Sequence, residues 1–285
     1  FVPALHAATL PPTFETRATT APFGTESANT PGKDQMGDGP WVTRDGNMFL
    51  QMVLKDNDEF LNPMCFDYLR LNRRAGANRT LVFEYATPQT FNQNWLWFSV
   101  PQVASDFGLA VGDTILWEWE LQFSDGLFCI DSHRNFYYIR TRVGEPLPSI
   151  PDWRRVDFHD HGYLSDDQIH SGMHYGLMAA IGKSTGLDAI FVTDHSPNVT
   201  VDEWNTLNTK CAESTTPSFL MVPGLELTVD DDEQNQTPDG RLHLLALGLS
   251  RLLPAPEECC TDNWNLRLWT LRQVLDSVAV QGGVA

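Results

Sequence analysis

Between Thr114 and Phe123 the chain places Ile115, Trp117, Trp119, Leu121 and Phe123 at every second position, with Glu118, Glu120 and Gln122 between them. Successive side chains of a strand point to opposite faces, whereas a helical face repeats about every 3.6 residues, so this alternation predicts a half-buried β-strand. Ser124-Asp125-Gly126 follows as a turn, and Phe136–Val143 reads as another strand. Leu81–Tyr85, Trp95–Val100 and Met48–Leu54 have the same short apolar character. Several short strands without long helical periods predict an all-β sandwich domain over residues 41–145. Residues 1–40 are rich in Pro, Thr, Ala and Gly and show no sustained period, which predicts an extended arm or linker.

Pro146, Pro148 and Pro151 mark 146–155 as an inter-domain linker. Beyond it strands and helices alternate. Val156–His161 reads as a strand. Asp166–Lys183 reads as a helix, with Ile169, Met173, Leu177, Ala180 and Ile181 on its buried face and Gly186 as its stop. Ala189–Thr193, Phe219–Val222 (ended by Pro223-Gly224) and Leu242–Leu247 read as further strands. Asn265–Gln281 reads as a helix led by the capping candidates Thr261, Asp262 and Asn263. This pattern predicts an α/β domain over 156–285, a barrel or sheet of parallel strands with its chemistry at their carboxyl ends.

The 285 residues are enough for two domains, and no apolar run approaches the roughly 20 residues that span a bilayer. With 37 acidic against 19 basic residues the formal charge is −18. Nucleic-acid binding relies on basic groups that displace counterions, so a nucleic-acid polymer or an anionic membrane is not an expected partner. A small anionic or ester substrate is compatible with that charge where bound metal reverses the local field. Phe1 stands where a primary translation product has Met. Asn78-Arg79-Thr80, Asn198-Val199-Thr200 and Asn235-Gln236-Thr237 fit the N-glycosylation pattern. Of the five cysteines, Cys65 and Cys129 could bridge, while Cys259-Cys260 are adjacent and Cys211 stands apart. These features lean toward an extracellular or periplasmic location over a cytoplasmic one.

Each strand predicted in the second domain brings a metal-binding residue type. His159 and His161 lie two apart at the end of the first, on one side by alternation. Ser165-Asp166-Asp167 adds a carboxylate at the following loop-to-helix junction. The second ends in Thr193-Asp194-His195, the third leads into Glu226, and the fourth carries His243. Imidazole nitrogen and carboxylate oxygen suit zinc, manganese or iron. The rival reading is an N-cap for Asp166, and a buried, hydrogen-bonded role for His195, Glu226 and His243.

The stretch DFHDHGYLSDD (157–167) resembles the first motif of the polymerase-and-histidinol-phosphatase (PHP) family, GLDAIFVTDHS (186–196) the second, and VPGLELT (222–228) with LHLLALG (242–248) the third. The proline-glycine before the glutamate resembles the branch containing carbaryl-type carbamate hydrolases. The resemblance implies a partial distorted seven-stranded βα barrel with two or three divalent metal ions. It implies that His159 and His161 ligate one ion, that Glu226 bridges it to a second also held by His243, and that Asp166 and His195 serve a third. Glu226, Asp166 and His195 are the implied catalytic residues, and Asp194 a hydrogen-bonding support. Gly162 departs from the usual Ser or Thr of the first motif and Asp167 from its Gly. The family continues past a run like Val278–Ala285 into a His-Pro pair and a distal D-x-H, so the expectation is a chain that ends before its last metal ligands.

The implied activity is hydrolysis by metal-activated water, with phosphomonoesters or phosphodiesters as the leading substrates. A carbamate, amide or carboxyl ester is the alternative, and a degenerate binding module without turnover a third reading. His170 and His174, one helical turn apart, read as a helix face, and Asp230–Glu233 as an acidic loop. Trp117 and Trp119 read as core aromatics ahead of a sugar platform. Arg154, Arg155 and Arg241 could contact a substrate anion but are not counted among the expected site residues.

Overall fold

The computed structural model describes residues 33–56, 64–91, 94–125, 128–162, 164, 174–196, 199–230, 241–253 and 271–285. The expected helix start at Asp166, the acidic run beyond Asp230, Cys259-Cys260 and the capping candidates at 261–263 lie outside them, as do Asn198 and Asn235. The chain divides into a first unit, Phe1–Leu147 with Ser184–Gly186, and a second, Pro148–Lys183 with Leu187–Ala285.

The first unit holds β1 (Lys33–Asp38), β2 (Val42–Thr43), β3 (Asn47–Asp56), β4 (Met64–Ala75), β5 (Asn78–Tyr85), β6 (Gln89–Phe91), β7 (Asn94–Val103), β8 (Thr114–Asp125) and β9 (Asp131–Val143). One sheet has the order β1-β3-β7 and the other β2-β9-β8-β4-β5, with β6 also on β4. Alternate residues of both sheets meet in one core, from Met48, Leu50, Met52 and Leu54 on β3 to Trp117, Trp119 and Leu121 on β8. Trp117 and Trp119 are fully buried, so neither offers a face to a sugar. Lys33–Asp38 lies inside the stretch expected to be an extended arm or linker; it is a strand because its backbone pairs with the Gln51–Asp56 part of β3, from Lys33↔Asp56 to Asp38↔Gln51. Backbone pairing of this kind leaves no side-chain period to read.

The polar face of β8 is not open to water, as its alternation predicts. Glu118 and Glu120 are 0% and 3% exposed. Arg74 and Arg79 reach Glu118 at 3.2 and 3.0 Å, and Arg79 reaches Glu120 at 3.5 Å. Glu120 also accepts from Tyr68 Oη at 2.8 Å and from Arg134 Nε at 3.0 Å. Burial, the largest influence, pushes the Glu120 carboxyl up, but the bonds from Tyr68 and Arg134 and the charges of Arg134 and Arg70 hold it below its ordinary range. A buried carboxylate is tolerable when it is paired and hydrogen-bonded. The cover comes from long arginine side chains on the neighbouring strands β4, β5 and β9.

In the second unit, β10 (Val156–Asp160), α1 (Tyr175–Thr185), β11 (Ala189–His195), α2 (Val201–Ser214), β12 (Leu220–Asp230), β13 (Arg241–Leu247) and α3 (Leu271–Val280) follow in order. The sheet order is β10-β11-β12-β13; the first two pairings are parallel and the last is antiparallel. This overturns the α/β expectation and the partial seven-stranded βα barrel. The chain is mostly β with several sheets, thirteen strands against three α-helices among the described residues. The reversal at β13 has a simple cause: only residues 231–240 separate it from β12, and a parallel crossover needs a dozen or more. Pro223-Gly224 does not end the third strand either. Pro223 pairs with Val192 on one side and lies one residue before pairing with β13 begins at Gly224↔Leu247, so its missing N–H interrupts no pairing there.

Two helices connect the parallel strands. Within α1 the buried hydrophobic residues are Tyr175, Leu177, Met178 and Ala179, and Gly182 sits so close to β11 that a Cβ there would lie 2.5 Å from Ile190 Cδ1. The second helix, α2, has no counterpart among the expected elements. Its signal is a capping box: Glu203 N–H donates to Thr200 Oγ1 at 3.3 Å, while Thr200 N–H donates to Glu203 Oε2 at 2.8 Å. Trp204, Leu207 and Cys211 form its buried stripe. Where β10 and β11 begin, Asp188 accepts from Arg155 N at 2.8 Å, Nε at 2.9 Å and Nη2 at 2.9 Å.

Two outcomes follow from these contacts. Cys65 and Cys129 are disulfide-bonded across a separation of 64 residues. Replacing both by Ala is expected to cost about 2–4 kcal/mol by freeing the unfolded chain, read as a lowered denaturant midpoint in tryptophan fluorescence; an unchanged midpoint contradicts this. The side-chain and backbone bonds from Arg155 lower the Asp188 carboxyl from 3.8 to about 2. A depressed folded-state value stabilises the fold above the unfolded value and ceases to do so as pH falls through the folded one. The stability gap between wild type and Asp188→Asn is therefore expected to close between about pH 4 and 2 in urea titrations; a gap constant across that range would contradict the assignment.

Candidate metal centre

Register brings the site together. His195 pairs directly with Glu226 across β11 and β12, so both side chains leave the same face. Glu226 pairs with Leu245 on β13, and His243 lies two residues away on that face. Because β13 runs antiparallel, its first residues stand beside the carboxyl end of β12. The last pair joining β10 to β11 is Asp160↔Val192, after a register shift. His159 and His161 flank it at the same edge.

All four imidazoles converge on one carboxylate. Glu226 Oε2 lies 3.6 Å from His159 Nε2, 3.1 Å from His161 Nε2 and 3.4 Å from His195 Nδ1. His243 Nδ1 contacts Glu226 Oε1. The rings of His161 and His195 stack with centroids 4.5 Å apart, and those of His159 and His161 meet edge-on at 4.7 Å. Glu226 is 4% exposed, whereas the side chains of His159 and His243 are about half exposed. The cluster is therefore reachable from one side. Asp166, the remaining expected ligand, lies outside the described residues.

Burial, the largest influence, pushes the Glu226 carboxyl up, yet the His243 bond and the fields of His195, His243 and His161 bring it below its ordinary range. Its Oε2 atom is buried and accepts no hydrogen bond among the described residues, although three imidazole nitrogens surround it. Two overlapping sets, His159-His161-Glu226 and His195-Glu226-His243, each keep their ligand atoms within 4.8 Å of one another. Donors on opposite sides of one ion stand about 4.2 Å apart when each bond is about 2.1 Å, so small side-chain shifts would close either set. Glu226 belongs to both. The side-chain types of either set fit a divalent cation.

Three further residues serve the cluster. Thr193 is fully buried, and its Oγ1 lies 2.8 Å from His159 Nδ1 and 3.4 Å from the Asp160 carbonyl oxygen. A hydroxyl that donates to that carbonyl accepts from Nδ1–H, which leaves the His159 Nε2 lone pair facing Glu226. Asp194 is fully buried: its Oδ1 accepts from Gly162 N–H at 2.7 Å and its Oδ2 from Tyr175 Oη at 2.6 Å. Thr193 sits within the quoted second motif and was legible as part of it. Tyr175 had no sequence signal. Cys211 is buried, and burial, aided by the Asp194 charge, pushes its thiol up to about 12, so it is no thiolate nucleophile. Arg155 is engaged with Asp188.

The arrangement defines a mostly β chain that carries a four-imidazole, one-carboxylate cluster at the edge of a mixed sheet. No protein-family model matches this chain, and no curated protein matches it. Among solved structures it is similar to murine CRIg, at 10% identity over 39% of this chain and 99% of that one, with a TM-score of 0.27. A β-glucuronidase from Bacteroides uniformis shares 11% identity over 71% of this chain and 24% of its own, with a TM-score of 0.25. The sporulation control protein Spo0M from Bacillus subtilis shares 10% over 39% of this chain and 48% of its own, also with a TM-score of 0.25. Likeness at this level carries no argument about activity.

If Thr193 orients His159, Thr193→Val is expected to weaken zinc binding about tenfold, measured by competition with a chromophoric chelator. Wild-type affinity in that variant would remove the hydroxyl from the site.

Proposed function

We propose that the second unit is a metal-dependent hydrolase whose site is of the PHP type, acting on phosphate esters. One observation carries the reading. Among the described residues three glutamates are buried; Glu118 and Glu120 face arginines, whereas Glu226 faces only imidazoles. Arginine is permanently charged and neutralises a carboxylate by itself. Imidazole is largely neutral near pH 7 and offers a lone pair, which is what a metal needs.

In this reading zinc, manganese or iron is the cofactor. His159, His161 and His195, gathered at Glu226 Oε2, and His243, at Oε1, would hold it together with that carboxylate; Asp166, the further carboxylate of the first motif, lies outside the described residues. Such ions supply Lewis acidity and make water acidic enough to attack at neutral pH. Glu226 belongs to both ligand sets, and its negative charge reduces the repulsion between cations. Thr193 supports His159 from within the sheet, while the half-exposed rings of His159 and His243 leave room for a small substrate. A chain of charge −18 disfavours a nucleic-acid polymer there. No helix among the described residues is long and apolar enough to cross a membrane. The Cys65–Cys129 disulfide supports an exported location, since such bridges persist in oxidising compartments.

The test is a panel of nitrophenyl phosphates and nitrophenyl carboxyl esters, assayed with added zinc or manganese. Phosphate hydrolysis is expected to dominate, to disappear with a chelator, and to fall by at least about a hundredfold in Glu226→Gln. Preference for carboxyl esters or carbamates would move the reading to the carbamate-hydrolase branch. Tight metal binding with no turnover of any ester would leave a binding module in place of an enzyme.

A further inference from the structure

We propose that Asp194 and Tyr175 form a clamp that sets the spacing of His161 and His195, making Tyr175 a positioning residue of the metal centre. The proposal rests on the metal-site reading above and adds the device that holds its two most enclosed imidazoles in place.

The geometry is short and closed. Asp194 immediately precedes His195, and Gly162 immediately follows His161. The last pair joining β10 to β11 is Asp160↔Val192, and His161 follows directly after β10. The bond from Gly162 N–H to Asp194 Oδ1, 2.7 Å, ties the residue after His161 to the end of β11. The second oxygen of the same carboxylate accepts from Tyr175 Oη at 2.6 Å. One buried side chain thus fixes the backbone on the far side of one ligand and the near side of the other, and the two rings stack at 4.5 Å.

Tyr175 also accounts for Gly162. A Cβ at Gly162 would lie 1.8 Å from Tyr175 Cε1 and 2.6 Å from its Cζ. The space that a Ser or Thr side chain would need is filled by the tyrosine ring, which is fully buried at the start of α1. The glycine and the tyrosine are therefore two halves of one arrangement: the ring enters because no side chain is present, and its hydroxyl then orients the carboxylate. Polar groups behind metal-ligating histidines typically alter affinity by about 10–100-fold when removed.

Tyr175→Phe keeps the ring and removes the hydroxyl. Zinc affinity of the full chain, by chelator competition, is expected to fall about tenfold or more, and the Gly162 amide proton is expected to exchange with solvent faster, as read by NMR. Gly162→Ala, which displaces the ring, is expected to do the same. Thr215→Val is the control: Thr215 accepts from Met221 N–H at 3.0 Å and donates to Cys211 O at 3.0 Å, a part-buried pair of bonds outside the cluster. It should lower thermal stability without changing zinc affinity. Wild-type zinc affinity and unchanged Gly162 exchange in Tyr175→Phe would overturn the clamp, as would an equal affinity loss in Thr215→Val. If the wild-type chain binds neither zinc nor manganese, the metal reading fails, and Gly162 exchange still decides the clamp: faster exchange in Tyr175→Phe supports it and unchanged exchange overturns it.

Discussion

A carboxylate almost removed from water has to be balanced, and the way Glu226 is balanced organises the second unit. Taking an ion out of water costs several kcal/mol even after relaxation. Glu226 meets that cost with four imidazoles drawn from three other strands, and none of them carries a fixed charge. A cation at their centre would satisfy the carboxylate and the imidazole lone pairs together. The half-exposed rings of His159 and His243 leave the cluster open on one side, a condition for substrate access that a closed structural site does not meet.

The first unit solves the same problem differently. Glu118 and Glu120 are as deeply buried as Glu226, but Arg74, Arg79 and Arg134 reach them from the neighbouring strands. Those pairs are complete in themselves and call for no ligand. The contrast between guanidinium and imidazole partners distinguishes Glu226 from Glu118 and Glu120, whereas burial, equal in the two cases, does not.

Much of the candidate site was legible before any fold was known, because histidine and glutamate at strand ends are an uncommon combination and their order was informative. His159, His161, His195, Glu226 and His243 meet in space. The architecture was less legible. The α/β barrel expected around those residues is absent, and the chain is mostly β. Alternation and apolar runs report where strands are; they do not report which way neighbouring strands run. For β13 the spacing became informative only once β12 was seen to run to Asp230, which leaves ten residues, too few for a parallel crossover. For α2 the Thr200–Glu203 capping box was present and readable. For β1 nothing local was available, because Lys33–Asp38 is a strand by virtue of its backbone pairing with β3.

By itself the sequence determined the inventory: which strands carry imidazole and carboxylate side chains, and that a large aromatic stripe on β8 belongs in a core. These are local properties, set by side-chain chemistry and by a period of two. Only the tertiary structure decided which partners those residues have. The antiparallel return of β13 puts His243 beside Glu226, arginines from neighbouring strands neutralise Glu118 and Glu120, and Tyr175 fills the space beside Gly162. Each of these contacts joins residues on different elements, where pairing direction and packing depth fix the distance, and neither quantity is carried by any short stretch of chain.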